Sequence, residues 1–380
     1  MNDLIVIILG VIFVVVNGLT QLVFAQTQNF KLKPGAIGMF IAGVMSGLLG
    51  LVSPITGQSA MIALAGKITD QSQRVGSLLV AGLIIFILGV TDLVSTALIF
   101  VGPAIVAGMM AGVGLMLTNI ATDFIFNKEK GNLQVGLVSL ISALIIFFVA
   151  RVHGTPNDLV YTIAGSVTLS TLYYLLVQRK HSANEVLASS ESNDGKFWTK
   201  AYWQSNDWKV VKPIFNFKVL LSALALVTLA VGTTTSFNNI NASLAGGIEQ
   251  NVDHLTMISG IASIGSTLFG GLPLAPIISG TAAAPHPVVG NVAVMLILVV
   301  LLISGVVTRI TKYIPTQSIA GFLIIIGIFS TFIPQLSNPG FQSNIGVAGI
   351  SMAVTKLSNN PFLGVLAGLF LRTFGYLIGL

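Results

Sequence analysis

Two short stretches concentrate the side chains that could bind a ligand, "SPITGQSA" at 53–60 and "APIISGTA" at 275–282. Each places a proline, a glycine and several hydroxyl or amide groups inside a long apolar run. Hydroxyls and amides supply hydrogen-bond donors and acceptors without carrying charge. We therefore predict a polar, uncharged site for a small molecule, formed where these two stretches meet.

Further polar side chains stand in two other apolar segments, "NGLTQ" at 17–21 and "TTTSFNN" at 233–239. Six polar side chains among seven residues in the second segment exceed what the packing of membrane helices needs. Both segments are therefore predicted to line the same site. The side chains predicted to bind substrate are Gln21, Gln58, Ser59, Thr233, Thr234, Asn238, Ser279 and Thr281.

The composition identifies the elements that must position these residues. The chain has 380 residues, of which 54% are hydrophobic and only 8% charged, whereas soluble domains carry roughly a quarter charged residues. Its apolar stretches of about 20 residues are long enough to cross a bilayer, so we predict an all-α polytopic membrane protein. Without cysteine the chain can form no disulfide, thiolate metal site or thiol nucleophile, and no metal or cofactor is predicted. The net charge of +6 is attributed to loops facing anionic lipid, and no nucleic-acid partner is predicted.

The hydrophobic pattern predicts fourteen spans in two groups of seven, 1–177 and 218–380, separated by a polar, interfacial linker at 178–217. "IAGVMSGLLG" at 41–50 aligns without gaps on "IASIGSTLFG" at 261–270, which indicates a duplication. Because seven is odd, the two halves must be inserted in opposite orientations, as in the inverted repeats of secondary transporters. The predicted spans are 4–25, 35–51, 53–68, 74–92, 96–122, 133–152, 157–177, 219–240, 255–270, 273–285, 287–308, 314–334, 342–356 and 361–379.

The third and tenth spans are predicted to be broken, because Pro54 and Pro276 stand inside them at corresponding positions. A proline removes a helical hydrogen bond and disturbs the preceding turn. In lipid every freed backbone group must find a partner within the protein or line a polar cavity. Two such breaks predict half-helices that meet near the middle of the membrane and form a binding site.

The loop charges predict the orientation. Almost every Lys and Arg between the spans follows an odd-numbered span, and Arg151 is the exception. The positive-inside rule then places both termini of this multi-pass cell-membrane protein outside the cytoplasm. Within the spans, Arg372 is expected either to be functional or to snorkel to the interface. Asp92 is expected to cap a helix.

With its broken third and tenth spans and its proline–glycine fifth span, "PAIVAGMMAGVG" at 103–114, the chain resembles the xanthine/uracil permease (nucleobase–ascorbate transporter) family over nearly its whole length. The resemblance implies that each broken span pairs a short strand with a half-helix, and that a core and a gate domain rock in an elevator-like motion. It also implies that Gly57 and Gly280 approach the substrate. Pro54 and Pro276 are then hinges, and Gly108 and Gly321 face the site across the core–gate boundary. Members of the family often form homodimers.

Two positions depart from the family pattern. Carboxylates that the family usually places in spans 8 and 10 fall on Leu229 and Ser279. Their absence puts in doubt both proton-coupled symport through these positions and recognition of a base by a carboxylate.

Three functions are compared on these observations. The principal prediction is a secondary transporter of a nucleobase, such as xanthine, guanine or uracil. The alternative is an anion transporter of sulfate-permease-like architecture, because two half-helix N-termini can bind an anion without a cationic side chain. The third is an enzyme or a structural membrane protein, for which no Ser/His/Asp set, metal cluster or phosphate loop argues. The expected partners are a small-molecule substrate, the lipid bilayer and a second copy of the chain.

Overall fold

The computed structural model describes residues 18–126, 133–154, 158–178, 206–248, 250–311 and 313–375. The beginning of the first predicted span, most of the predicted linker and the end of the last span lie outside the described residues. The described part of the chain is mostly helical.

The described part of the first half contains eight helices and one short strand. The strand and the helix that follows it replace the third predicted span, so the break predicted there is confirmed. The elements are α1 at 18–27, α2 Gly35–Leu49, β1 Ile55–Gly57, α3 Ser59–Gly66, α4 Gln71–Val90, α5 Leu93–Val101, α6 Pro103–Phe126, α7 Leu133–Val152 and α8 Asp158–Tyr173, with α8 continued by a π-helical turn at Tyr174–Gln178.

The second half repeats a short strand in the tenth predicted span. Its twelfth predicted span is a composite helix that changes from 3-10 to α, then to π, and back to α. The elements are α9 Phe217–Leu244, α10 Val252–Thr267, β2 Leu274–Pro276, a 3-10 turn at Gly280–Ala283, α11 Pro287–Ile303, α12 Val306–Thr311, α13 Thr316–Leu336, α14 Pro339–Ser343, α15 Ile345–Ser358 and α16 Pro361–Gly375.

Five of the described helices, α4, α6, α7, α9 and α13, are long and apolar enough to cross a membrane, and several shorter helices are also apolar. Large apolar side chains such as Leu48, Ile99 and Val152 are more than four-fifths exposed on the outside of the molecule, as expected for surfaces that face lipid. The molecule therefore has the character of a multi-pass membrane protein. The count of fourteen membrane spans and the orientation of the termini stay predictions.

The helices pack in two groups, and each group draws on both halves of the sequence. The first, here called the core group, contains α1–α4, α9–α12 and the two strands. The second, the gate group, contains α6–α8 and α13–α16. The groups meet where α9 packs against α6 and α16 and where α3 packs against α6.

The two strands pair with each other in antiparallel register inside the core group. Ile55 lies opposite Pro276, and Gly57 lies opposite Leu274. The Pro54 carbonyl also accepts a hydrogen bond from the Ile277 amide at 3.0 Å. The pairing satisfies backbone groups that the two breaks release, which is what an apolar environment requires.

The short helix α5 links the two groups and is held by a charge at each end. The Asp253 carboxylate of the core group accepts from the Val94 amide at 2.9 Å and from the Ser95 hydroxyl at 3.2 Å. The Arg372 guanidinium of the gate group donates to the carbonyls of Phe100 and Val101, both at 2.9 Å. An acid at the N-terminus and a base at the C-terminus of a helix both stabilise it.

These contacts settle two expectations from the sequence. Asp92 has a left-handed backbone with φ of 51° and no side-chain capping bond, so its predicted role as a cap is wrong and Asp253 caps the helix instead. Arg372 binds the end of α5, which gives it a structural role.

The described end of the linker docks on the core group. Lys33, which is 3% exposed, forms an ion pair of 3.0 Å with Asp207. The Val211 amide donates to the Leu268 carbonyl at 3.1 Å, and the Ile214 amide donates to the Ser72 carbonyl at 3.2 Å. This part of the linker is therefore a bound segment rather than a free tether.

Candidate functional site

A cavity lies between the core and gate groups. We call it the central cavity. Of the described residues that line it, none is charged, and most are apolar. They are Gln21, Gln58, Ser59, Ala60, Met110, Val113, Leu117, Leu159, Ile163, Thr233, Phe237, Ile277, Ile278, Ile326 and Thr331.

The N-terminal turn of α3 opens on the central cavity through Gln58, Ser59 and Ala60. Gln58 is the N-cap, and its Oε1 accepts from the Met61 amide at 3.2 Å. The amides of Ser59 and Ala60 belong to the first turn, where backbone N–H groups have no intrahelical partner. The first broken span thus directs the positive end of a helix toward the cavity.

The side-chain amide of Gln58 presents donors at this point. Because its oxygen is used by the Met61 amide, the other end of the group is the NH₂. Gln58 is 2% exposed, and its Nε2 has no hydrogen-bond partner among the described residues. A buried donor without a partner carries a desolvation cost of about 1–3 kcal/mol, which an acceptor in the cavity would relieve.

Gln21 and Ser59 stand beside this amide. The Ser59 hydroxyl donates a short hydrogen bond to Oε1 of Gln21, and both side chains are buried. Thr233 lines the cavity from α9, but its hydroxyl donates within the helix to the carbonyls of Leu229 at 2.9 Å and Ala230 at 3.2 Å. Its proton is therefore unavailable to a ligand.

The second broken span differs from its prediction. We expected a half-helix after the strand, but the structure has a single 3-10 turn, Gly280–Ala283. Ala284, which precedes Pro285, has an extended backbone with ψ of 156°. The reason is that a proline ring clashes with the residue before it when that residue is helical. A second proline, Pro287, then opens α11, so no helix can run through this segment.

The polar groups of this 3-10 turn bond to one another. The hydroxyls of Ser279 and Thr281 lie 2.6 Å apart, and Oγ of Ser279 also accepts from the Thr281 amide at 3.2 Å. Ser279 and Gly280 line a second cavity, here called the vestibule. The vestibule shares Leu159 and Ile278 with the central cavity.

Asn241 on α9, which the sequence analysis missed, holds both broken segments in place. Its Nδ2 donates to the Ser53 hydroxyl at 3.0 Å and to the Ile277 carbonyl at 2.8 Å. Its Oδ1 accepts from the Ser279 amide at 2.9 Å. Continuing the helical spacing from Thr234 through Asn238 would have led to it, since residues three and four apart share a helix face.

The structure does not bring together all the predicted substrate-binding residues. Thr234 and Asn238 are buried outside the lining of the central cavity, and each has a side-chain oxygen without a partner among the described residues. Gly57 lies in β1, where an added Cβ would meet Leu272 at 2.5 Å. Thr281 is buried against Gly290. Their binding roles stay predictions.

The predicted gate glycines lie elsewhere than expected. An added Cβ at Gly108 would strike the backbone of Ala348, and one at Gly321 would strike the backbone of Ser139. Both contacts lie within the gate group, so these glycines allow close helix packing rather than facing the cavity. The small residue at the group boundary is Gly232, whose added Cβ would meet Met109 Cε at 2.8 Å and Met110 Sδ at 2.9 Å.

Within the described residues, no group of three or more His, Asp or Glu side chains could hold a metal ion.

Comparison with known proteins gives a structural relationship only. No protein-family model matches the chain, and no curated protein matches it in sequence. The transmembrane domain of the cyanobacterial bicarbonate transporter BicA matches with a TM-score of 0.63 at 15% identity, over 97% of this chain and 98% of that chain. SLC26A9 matches with a TM-score of 0.71 at 14% identity, over 98% of this chain and 65% of that chain. The murine Slc26a9 anion transporter in its inward-facing state matches with a TM-score of 0.66 at 14% identity, over 99% and 68%.

These matches show the fold, which is that of solved membrane transporters. They also correct the family resemblance given above. The matching structures belong to the SLC26 anion transporters, a different family from the xanthine/uracil permeases with a related fold. The assignment to the nucleobase family was therefore wrong. It rested on features of the architecture that both families share.

Proposed function

We propose that this protein is a membrane transporter of small inorganic anions. The observation that carries the proposal is the N-terminal turn of α3, which meets the central cavity beside the buried Nε2 of Gln58, a donor without a partner among the described residues. A helix N-terminus supplies backbone donors and a partial positive charge, and it binds anions without a cationic side chain. An anion is an acceptor on every side and would satisfy these donors together.

The surroundings favour an anion over a neutral base. The described lining of the central cavity contains no carboxylate to repel a negative ligand or to bind ring nitrogens. The site offers donors from one helix end, whereas recognition of a nucleobase edge needs alternating donors and acceptors. That the solved structures with this fold include a bicarbonate transporter and an anion transporter agrees with this proposal.

The residues proposed to hold the anion are Gln58 and the backbone amides of Ser59 and Ala60, with Gln21 positioning Ser59. We further propose that transport occurs by displacement of the core group against the gate group. The space beside Gly232, where an added Cβ would meet the flexible ends of Met109 and Met110, supports this motion, because unbranched, adaptable methionine side chains tolerate repacking.

The test is a thermal-stability panel on purified protein, followed by uptake into proteoliposomes. Chloride, bicarbonate and sulfate are compared with xanthine and uracil. A ligand at a hundred times its dissociation constant stabilises the folded state by about 2.7 kcal/mol. We expect at least one of the anions to raise the melting temperature and to be taken up. Stabilisation and uptake of xanthine or uracil alone would refute the proposal.

A further inference from the structure

The vestibule contains charged side chains, whereas the described lining of the central cavity has none. Arg151, at the end of α7, and Asp158, at the start of α8, both line it. The Arg151 guanidinium lies over the Phe147 ring at 5.4 Å from its centroid. This stacking directs a positive charge along the vestibule wall, and cations are attracted to aromatic faces.

The guanidinium is available to a ligand. Its contact with Asp158 is 3.8 Å long, and the Arg151 side chain is 63% exposed. Within the described residues no hydrogen bond occupies its donors. A guanidinium has five N–H donors in a planar fork that suits oxyanions. A partly exposed ion pair of this length contributes little to stability, so an incoming anion can replace Asp158 as the partner of Arg151.

The vestibule adjoins the central cavity. Leu159 follows Asp158 directly in the chain, and it lines both cavities together with Ile278. An anion held at Arg151 would therefore be separated from the central cavity only by these apolar side chains. A charge in a cleft raises the local concentration of oppositely charged ligands and their association rate.

We propose that Arg151 forms an anion-capture site in the vestibule, distinct from the site at α3, and that Asp158 weakens this site by competing for the guanidinium. The capture site binds small inorganic anions and feeds them to the central cavity. This inference rests on the proposed function, because it concerns how the transported anion reaches its site.

The experiment measures the concentration dependence of uptake into proteoliposomes for chloride, bicarbonate and sulfate. Wild type is compared with Arg151→Gln, Arg151→Lys and Asp158→Asn. At low ionic strength we expect Arg151→Gln to raise the half-saturating concentration about three- to tenfold with little change in maximal rate. Arg151→Lys keeps the charge but loses the planar fork and the stacking on Phe147, so its half-saturating concentration should lie between those of wild type and Arg151→Gln. Asp158→Asn should lower the half-saturating concentration. Because exposed charges are screened by salt, the differences should shrink when an impermeant gluconate salt is added.

Arg309→Gln is the matched control, since Arg309 on α12 is an exposed arginine that lines neither cavity. If Arg151→Gln behaves like Arg309→Gln, or lowers only the maximal rate, the capture site is refuted while the proposed function stands. If the wild type takes up none of the three anions, the proposed function fails and the capture site fails with it.

Discussion

The two broken segments occupy paired positions in the fold, yet they present opposite chemistry. After β1 the chain forms α3, an eight-residue helix whose first turn opens on the central cavity beside the Gln58 side-chain amide, which has no partner for its Nε2 among the described residues. After β2 it forms only a 3-10 turn, in which Ser279 and Thr281 satisfy each other. The first segment has donors to offer a ligand, and the second has bonded its own.

The difference follows from a few residues. The first segment continues as "SAMIALAG" at 59–66, which contains good helix formers and no proline. The second continues as "AAAPHP" at 282–287, in which two prolines closely follow the 3-10 turn. A repeated architecture therefore does not imply two equivalent half-sites. We expect the first segment to determine ligand binding and the second to determine how firmly the pair of strands is held.

The largest expected effect comes from introducing a negative charge into the first segment. Gln58→Glu keeps an acceptor for the Met61 amide, and a carboxylate is a good N-cap, so the fold should be retained. The new negative charge and the lost donors should reduce anion uptake by about a hundredfold or more, since hydrogen bonds to charged groups contribute about 1.5–3 kcal/mol before repulsion is added. Uptake close to that of wild type would show that α3 does not bind the anion.

The next effect concerns the residue that joins the two segments. Asn241→Leu leaves the Ser279 amide and the Ile277 carbonyl buried without their partner, and each such group costs about 1–3 kcal/mol. We expect the free energy of unfolding to fall by about 2–5 kcal/mol, measured as a lower melting temperature in detergent. Asn239→Leu is the control, because Asn239 is exposed on the same helix. Equal losses in the two variants would contradict the role of Asn241.

A crossed pair of serine variants separates binding from stability. Ser59→Ala removes the buried bond to Gln21, and we expect it to weaken anion affinity about three- to tenfold in addition to lowering stability by about 1 kcal/mol. Ser279→Ala removes the hydrogen bonds that its hydroxyl makes with Thr281 in the second segment. We expect it to lower stability by about 1 kcal/mol with anion affinity within twofold of wild type. Melting curves with and without the anion measure both quantities. If Ser279→Ala weakened anion affinity and Ser59→Ala did not, the ligand would be assigned to the second segment.

The smallest expected effect tests a residue that the sequence assigned to the site. The Thr234 hydroxyl is buried without a partner among the described residues, so Thr234→Val should raise the free energy of unfolding by about 1 kcal/mol and leave uptake within twofold. Thr228→Val is the control, since that hydroxyl donates to the Leu224 carbonyl at 2.8 Å. A large loss of uptake in Thr234→Val alone would restore Thr234 to the site.

Much of the site could be anticipated from the position of polar residues in apolar runs. Gln21, Gln58, Ser59 and Thr233 were predicted, and all four line the central cavity. The apolar remainder of the lining, such as Phe237 and Ile163, was not predicted, because an apolar residue that faces a cavity looks in sequence like one that faces lipid. Asn241 continues the helical spacing of Thr234 and Asn238 and could have been included on that ground, but no local pattern reveals that its amide reaches two segments distant in sequence.

The sequence by itself determined that the chain is a multi-pass helical membrane protein and that proline breaks its third and tenth spans. Both conclusions depend on local physical chemistry, namely apolar length and the missing donor of proline. Only the tertiary structure decided that the first segment continues as a helix toward a cavity while the second is closed on itself, and that Gly108 and Gly321 pack within the gate group. The physical reason is that hydrogen-bond satisfaction and close backbone approach join residues far apart in the chain, such as Ser279 and Asn241, and sequence spacing carries no record of those contacts.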